Sequence, residues 1–402
     1  MESNKVNVYN GVHLTNAAPR QRATPSAYYD TGKLTRVLFS ILVLILSLAV
    51  LAIALLTKKI NEENISISEG SIIEATTTTE MIIPDMIEIT TKELLMPSVI
   101  INTDTKWKQN AITVAGGYGR GNKLNQLNDP YGICINDDDN SIYIADRENH
   151  RIVKWQSGAY NGEIVAGGNG RGSAIHQLNY PKDVILDKGK NNIIICDQGN
   201  SRIIRSSLQN SQNQRVLIVR IVCCSLAMDD NEDLYISDWA KHQVIRWRQG
   251  DKEGKVVAGG NDKGNRFDQF NQPSSIFVDK YYSIYVADCM NNRVMKWSKN
   301  ATIGIPVAHG QLINANLSSL LRPNSVIVDH MGNIYMSNER NHQITRWSPG
   351  TTKGVPVVGG RNAGSKSMEL SYPFDLSFDR QGNLYVVDAG NDRIQKFIID
   401  RD

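Results

Sequence analysis

The glycine-rich stretch VAGGYGRGNKL, Val114 to Leu124, is the first segment whose composition could carry chemistry. Glycines directly after a short apolar run can cradle phosphates, because backbone N–H groups at such a strand end point at the anion. A phosphate loop of that kind opens an amphipathic helix. Here two strand-like runs, NQLNDPYGICIN and SIYIAD, follow instead. The stretch therefore predicts turns rather than a nucleotide site.

Three histidines form a second candidate, because His150, His242 and His342 follow similar runs of sequence. Imidazole is the commonest metal ligand in proteins, and three such groups can hold a catalytic zinc ion. Whether they meet depends on the elements that position them.

A unit of about 50 residues carries both patterns. Further glycine-rich copies begin at Val165, Val257, Val307 and Val357. An Asp or Asn closes the run of type IYIAD in six units, at Asp146, Asp197, Asp238, Asp288, Asn338 and Asp388. Proline opens five of the six units, and the third unit, with RIVCCSLAMD, lacks both the proline and the glycine-rich loop.

Each unit contains four short β-rich runs bounded by Gly, Pro, Asn and Asp, without helical periodicity. This pattern predicts an all-β fold, a six-bladed β-propeller with four-stranded blades. The last unit ends at FIID without its outer strand, whereas the region begins with an unpaired one, KWKQNAITVAGG. We therefore expect the N-terminal strand to complete the last blade and remove an exposed edge.

The segments DRENHRI, DQGNSRI, DCMNNRV and DAGNDRI, with the pattern Pro…Asp…LYV-x-Asp, resemble the NHL-repeat family. The resemblance covers residues 107–402 and implies the propeller fold. It leaves the function open, because that family includes RNA-binding regulators, amidating lyases and extracellular sensor domains of transmembrane kinases.

In a propeller, the three histidines fall in turns at least one strand spacing of ~4.8 Å outside the channel wall, roughly 20 Å from one another. That separation is too large for a shared zinc ion, so we interpret them as turn residues. The innermost strands place one residue per blade at the channel, in the series Gly132, Asp183, Cys224, Ser275, Ser325 and Asp375. Asp183 and Asp375 at the channel mouth could hold a cation or a water molecule, but they specify no reaction. We predict no cofactor, no metal site and no enzyme activity.

Residues 37–57 are 21 consecutive residues without a charge, which suffices to span a bilayer core of ~30 Å as a helix. A signal peptide would have a shorter apolar core nearer the terminus. Basic residues are concentrated before the span, at Arg20, Arg22, Lys33 and Arg36. This bias predicts a cytosolic tail at 1–36 and a propeller that is extracellular or lumenal, with the cell surface as the expected location.

Residues 58–106 are rich in Thr and Glu, and from 61 to 106 two basic residues stand against nine acidic ones. This composition predicts an extended stalk before a propeller at 107–402. Sequons at Asn300 and Asn316 lie in predicted loops, as expected for glycosylation of an extracellular domain.

All five cysteines lie in the propeller. Strand direction puts Cys196 and Cys223 on the same face of neighbouring blades, which suggests a disulfide between them in an oxidising compartment. Cys224 is the alternative partner, and buried free thiols are the other alternative. Cys134 lies mid-strand and is expected to be a small core residue.

The face with the glycine-rich loops carries the candidate binding residues, which are Arg120, Arg171, Lys263, Arg266, Arg361 and Lys366. A modest basic excess suits acidic glycans or an acidic protein loop, with a merely solvated face as the alternative. The propeller has 35 basic and 30 acidic residues, too few extra cations to indicate nucleic acid.

We predict a single-pass membrane protein that presents its propeller as a ligand- or protein-binding module for recognition, adhesion or sensing. An ectoenzyme, a lyase or hydrolase using the channel, is the alternative, and an RNA-binding regulator is the second alternative.

Overall fold

The computed structural model describes residues 101–102, 104–210, 213–309, 322–360 and 362–401. Within these ranges the chain forms six four-stranded antiparallel sheets and one two-stranded ladder. The innermost strands of neighbouring sheets contact one another in sequence, and the sixth contacts the first. The prediction of an all-β, six-bladed propeller is confirmed.

Short apolar runs separated by turn residues form the blades, each running from the channel to the rim. Two strands come first, β1 (Lys106–Trp107) and β2 (Ile112–Gly116). Blade 1 contains β3 (Pro130–Asn136), β4 (Ser141–Asp146), β5 (Arg151–Trp155) and β6 (Glu163–Gly167). Blade 2 contains β7 (Pro181–Leu186), β8 (Asn192–Asp197), β9 (Arg202–Ser207) and β10 (Gln214–Val219). Blade 3 contains β11 (Cys223–Met228), β12 (Leu234–Asp238), β13 (Gln243–Trp247) and β14 (Lys255–Gly259).

The remaining blades repeat this order. Blade 4 contains β15 (Pro273–Val278), β16 (Ile284–Asp288), β17 (Arg293–Trp297) and β18 (Ile305–His309). Blade 5 contains β19 (Pro323–Val328), β20 (Ile334–Asn338), β21 (Gln343–Trp347) and β22 (Val355–Gly359). Blade 6 contains β23 (Pro373–Phe378), β24 (Leu384–Asp388) and β25 (Arg393–Phe397), and β26 (Ile399–Asp400) follows it. Single 3-10 turns join the second and third strands of five blades, at Arg147–Asn149, Gln198–Asn200, Cys289–Asn291, Glu339–Asn341 and Ala389–Asn391.

The N-terminal strand closes the ring, as the sequence predicted. Strand β2 pairs with β25 and becomes the outer strand of blade 6. Strand β1 pairs with β26, which gives the closure a second ladder. Trp107 of β1 is buried, stacks on Phe378, and its Nε1 donates to the carbonyl of Gly382 at 2.9 Å.

The hydrophobic core lies between the blades. Each seam is filled by side chains from two neighbouring sheets, and three tryptophans that end third strands, Trp155, Trp297 and Trp347, are among the most buried. Trp297, for example, packs on Phe270, which comes from the loop before blade 4, with ring centroids 4.6 Å apart. These seams fix the blades and therefore the positions of the side chains around the channel.

The predicted cytosolic tail, the predicted membrane span at 37–57 and most of the predicted stalk lie outside the described residues. In the part of the chain that is described, no helix has the length and apolar character needed to cross a membrane. Ile101 packs into the same core as Trp107.

Candidate functional site

One face of the ring carries the glycine-rich loops that precede β3, β7, β15 and β23, together with the 3-10 turns. We call it the loop face. The glycines give these loops their shape: Gly116 has a φ of +68°, and a Cβ there would lie 2.4 Å from the carbonyl oxygen of Asp392. The recurrent segment is thus a turn, as the sequence indicated.

Buried Asp–Arg pairs anchor each loop to the turn beside it. In blade 4, Oδ2 of Asp288 accepts from Nε of Arg293 at 2.7 Å and from Nδ2 of Asn291 at 2.8 Å. The same guanidinium donates to three loop carbonyls, those of Asn265, Arg266 and Gln269, at 2.7–2.9 Å. Equivalent pairs brace blades 1, 2 and 6, at Arg151, Arg202 and Arg393. The repeated Asp and Arg therefore hold the loop face in shape.

The residue directly before each third strand has left-handed backbone. His150, for instance, has a φ of +53°. In three seams this residue is a histidine whose Nδ1 accepts from the backbone N–H before the next innermost strand, as His150 from Tyr180, His242 from Gln272 and His342 from Tyr372, at 3.1–3.2 Å. We call these three side chains the histidine latches. Burial lowers the pKa of each, which favours the neutral acceptor form. Each latch thus joins one blade to the next.

A belt of hydrogen bonds crosses the channel near the start of the innermost strands. Its members are Gly132, Asp183, Ser225, Ser275, Ser325 and Asp375, one from each blade. In blade 3 the structure places Ser225 here, not Cys224, because Cys223 takes the place of the missing proline. Side chains of the belt bond to the next blade: Asp183 accepts from the N–H of Leu226, Ser225 from Ile276, Ser275 from Val326, Ser325 donates to Asp375, and Asp375 accepts from Ile133.

The two belt carboxyls are strongly perturbed. Burial raises the pKa of Asp183, and the neighbouring charge of Asp375 raises it further. Burial also raises the pKa of Asp375, against the hydrogen bonds that it accepts. Two acids this close disfavour a doubly ionised state, so the pair retains a proton at higher pH than a free aspartate would. The belt divides the channel into a void of about 20 Å³ toward the loop face and a cavity of about 340 Å³ below.

Aromatic and cationic side chains frame the channel mouth on the loop-face side of the belt. Tyr131 and Phe374 pack with ring centroids 3.8 Å apart. The ammonium of Lys182 lies 3.3 Å from the centroid of Tyr131 and 4.3 Å from that of Phe374. Burial lowers the pKa of Lys182 to about 8. Within the described residues, no carboxylate lies within ion-pairing distance of this amine.

Two arginines extend this cluster outward along blades 1 and 2. The guanidinium of Arg147 lies 4.9 Å from the ring of Tyr131 and 4.8 Å from that of Tyr180. Arg171 lies 4.9 Å from the ring of Tyr180 and is exposed. Arg147 also pairs with Asp129 and Glu148. The cluster of Tyr131, Phe374, Lys182, Arg147, Tyr180 and Arg171 is called the mouth cluster below.

The structure places the predicted loop-face cations apart from one another. Several have local acidic partners: Arg120 pairs with Asp392, Arg266 with both oxygens of Asp268, and Lys366 with Glu369. Lys263 forms an isolated β-bridge with Phe270. Arg361 lies outside the described residues. Among the members of this set that the structure describes, only Arg171 joins the mouth cluster.

Sequence reasoning did not identify Tyr131, Lys182 and Phe374. They occupy the position directly after the opening proline, where blades 4 and 5 have Ser274 and Asn324. Comparing this position across the repeats would have revealed the contrast.

The structure also locates the predicted disulfide and one of the two predicted glycosylation sites. Cys196 and Cys223 form a disulfide between blades 2 and 3, which is the pairing that the sequence suggested first. Cys134, Cys224 and Cys289 are free thiols. Asn300 is exposed in the turn between β17 and β18, and Asn316 lies outside the described residues. In the described part of the chain, no cluster of three His, Cys, Asp or Glu side chains has the geometry of a metal site.

Fold and channel together define a six-bladed β-propeller. Residues 127–155, within the first repeating unit, match the family described as NHL repeat. No curated protein sequence matches the chain.

Solved structures share the fold. A protein of unknown function from Bacteroides thetaiotaomicron superposes with a TM-score of 0.58 at 15% identity, over 72% of this chain and 76% of that one. An auxiliary nutrient binding protein from the same organism superposes with a TM-score of 0.54 at 13% identity, over 76% of each chain. A gluconolactonase from Xanthomonas campestris superposes with a TM-score of 0.52 at 11% identity, over 75% of this chain and 99% of that one. At these identities the similarity concerns the fold alone.

Proposed function

We propose that the propeller is a recognition module that binds a ligand with a small anionic group, such as a carboxylate, at the mouth cluster. The observation that carries this proposal is the ammonium of Lys182, held between the rings of Tyr131 and Phe374. A partly buried amine without a counter-ion is unfavourable, as its lowered pKa reflects. An anionic ligand would supply the missing charge and restore the pKa.

The repeats support this assignment. Blades 3, 4 and 5 have Cys224, Ser274 and Asn324 at the same position, in a backbone of the same form. The fold therefore does not require an amine or an aromatic ring there. Exposed Arg171 adds a second cation at the edge of the cluster, where it would meet the ligand first.

The same geometry favours recognition over catalysis at the loop-face mouth of the channel. Every oxygen of Asp183 and Asp375 already accepts a hydrogen bond from the belt. The void beside them toward the loop face, at about 20 Å³, holds at most one water molecule. A lyase or hydrolase acting from the loop face would need more room. The local pairing of Arg120, Arg266 and Lys366 likewise reduces the free positive charge that RNA binding would need.

We further propose that the module is displayed outside the cell by a single span at 37–57. The uncharged length of that segment and its basic N-terminal flank support this placement. The Cys196–Cys223 disulfide supports it as well, because disulfides persist in oxidising compartments.

The test measures binding to the full chain in a sugar-free detergent. Two anionic probes, a Glu-Gly repeat peptide and a hyaluronate tetrasaccharide, are compared with a Gln-Gly peptide and a neutral chitin tetrasaccharide. We expect one anionic probe to bind at least tenfold more tightly than its neutral counterpart, a difference of about 1.4 kcal/mol. Which probe does so separates a protein ligand from a glycan.

The variant Lys182→Ser copies Ser274 of blade 4 and should abolish that preference. Lys252→Ser, in an exposed turn on the opposite face, removes the same charge elsewhere and should leave it unchanged. Equal binding of charged and neutral probes, or an equal effect of both variants, would refute the proposal.

A further inference from the structure

Below the belt, the channel is a cavity of about 340 Å³ that extends to the far ends of the innermost strands. Its volume equals that of roughly eleven water molecules. It falls within the range of pockets that hold small ligands.

The walls of this cavity are apolar. Positions five and six of the innermost strands face it, and most of these side chains are only half-buried. They include Ile185, Met228, Phe277, Val278, Ile327 and Phe378. Contiguous apolar surface left open to water is uncommon in soluble domains and marks sites that bind something. Each of these six side chains also packs against the core of a blade seam, and the part that stays exposed lines the cavity.

The upper end of the cavity is polar and acidic. Asp183 and Asp375 flank Gly132, and both line the cavity as well as the belt. Gly132 is needed between them, because a Cβ there would lie 2.5 Å from Oδ1 of Asp183. Ionised carboxylate oxygens offer about four acceptor sites per group, so the belt bonds leave acceptor capacity unused.

We propose that this lower cavity binds a small apolar molecule carrying one amine, with its apolar part between the walls and its ammonium against Asp183 and Asp375. The site lies on the other side of the belt from the mouth cluster and selects the opposite charge. It is therefore independent of the function proposed above.

An ammonium fits this end better than a hydroxyl or a carboxylate does. Two neighbouring buried carboxyls resist double ionisation, and a cation placed against them removes that resistance. Binding should therefore release protons from the protein at neutral pH. The other titratable groups that face the pair are Lys182 and Cys224 above the belt and Cys134 and Asp137 below it. Burial keeps both thiols protonated, since their pKa values are raised.

The experiment uses three probes of one shape, cyclohexylamine, cyclohexanol and cyclohexanecarboxylate, titrated calorimetrically into the full chain in detergent. The amine should bind at least tenfold more tightly than the alcohol, and the acid should bind more weakly than either. Repeating the amine titration in two buffers of different ionisation enthalpy should show proton release. Equal affinity for amine and alcohol, or no binding of the amine up to about 10 mM, would overturn the proposal.

Variants drawn from the belt itself test the residues. Asp183→Ser and Asp375→Ser introduce the residue that blades 3 and 4 have at this position, where the serine hydroxyl accepts from a backbone N–H of the next strand. Each should lower the affinity for the amine about tenfold and leave the alcohol unchanged. Lys252→Ser serves as the control.

A second variant keeps the proposal testable if the Asp→Ser variants disrupt the belt and fail to fold. Ala227→Leu adds volume to the cavity wall and leaves every belt residue in place, and it should weaken the binding of amine and alcohol together. Folded Asp→Ser variants that bind the amine as the parent does would refute the role of the carboxyls. An unchanged affinity in Ala227→Leu would refute the location.

Discussion

The buried pair of Asp288 and Arg293 gives the sharpest test of how the loop face is held. Changing Arg293 to Gln removes the guanidinium that bonds to Asp288 and to three carbonyls of the loop before blade 4. The aspartate is fully buried and the arginine is 8% exposed, so water cannot readily replace these bonds.

The expected loss follows from the number and type of the bonds. Removing one partner of a buried ion pair typically costs about 3–5 kcal/mol, because the other charge is left uncompensated. Asp288 retains its bonds from the Asn271 N–H and the Asn291 side chain, which favours the lower half of that range. Burial already raises the pKa of Asp288 in spite of Arg293. Without the arginine the carboxyl takes up a proton more easily, so the loss should be smaller at acid pH than at alkaline pH.

The chain supplies its own rescue variant. Blade 5 has Asn338 and Gln343 at these two positions, and Gln343 is equally well buried. The double variant Asp288→Asn with Arg293→Gln should therefore be more stable than Arg293→Gln alone, by at least about 1 kcal/mol, because no buried charge remains.

Denaturant unfolding of the full chain in detergent measures all three proteins, and hydrogen exchange of residues 260–272 reports on the loop itself. Arg293→Gln should speed exchange there. A loss below about 1 kcal/mol in the single variant, or a double variant no more stable than the single one, would refute the role given to this pair.

Two further predictions concern the seams and the belt. The pKa of each histidine latch is lowered in the folded chain, so the unfolded chain binds more protons below about pH 6.5 and stability should fall from pH 7 to pH 5. Replacing all three histidines with Asn, the residue that blade 4 has as Asn292, should make that fall smaller in thermal unfolding curves, and an unchanged pH dependence would contradict the latch. Gly132→Ala should destabilise the ring by about 1–3 kcal/mol, because the new Cβ would meet Asp183 at 2.5–2.7 Å; Gly360→Ala, which meets only ordinary contacts, is the control, and equal effects would contradict the close packing of the belt.

The architecture was predictable because the same sequence pattern occurs in six consecutive units. The repeated proline, the closing Asp and the Trp appear at fixed spacing, so the strand order and the strand that closes blade 6 followed from the pattern. The third unit shows where this reasoning ends. Without a proline to mark its first strand, Cys224 was placed at the channel, whereas the pairing of Ser225 with Ser237 sets the register one residue later.

The charges of the loop face were harder to predict. The pairing of Arg266 with Asp268 is local and can be suspected from two neighbouring residues. Arg120 finds Asp392 only because closure brings the first loop against the last turn, 272 residues away in sequence. The mouth cluster is likewise built from three blades, and no local pattern brings Tyr131, Lys182 and Phe374 together.

The repeats allow scaffold and function to be separated in a single chain. Where several blades solve a structural problem alike, as with the Asp–Arg braces of blades 1, 2, 4 and 6 and the belt serines of blades 3, 4 and 5, the residues serve the fold. Lys182 departs from that rule, because it introduces a buried amine at a position where blade 4 has Ser274 in a strand of the same form. An amine buried without a counter-ion, at a position where other blades have an uncharged side chain, is expected at a functional site. The channel thus has a candidate site on each side of the belt, with a cation above it and an acidic, apolar cavity below it. Ligands of opposite charge should distinguish these two sites.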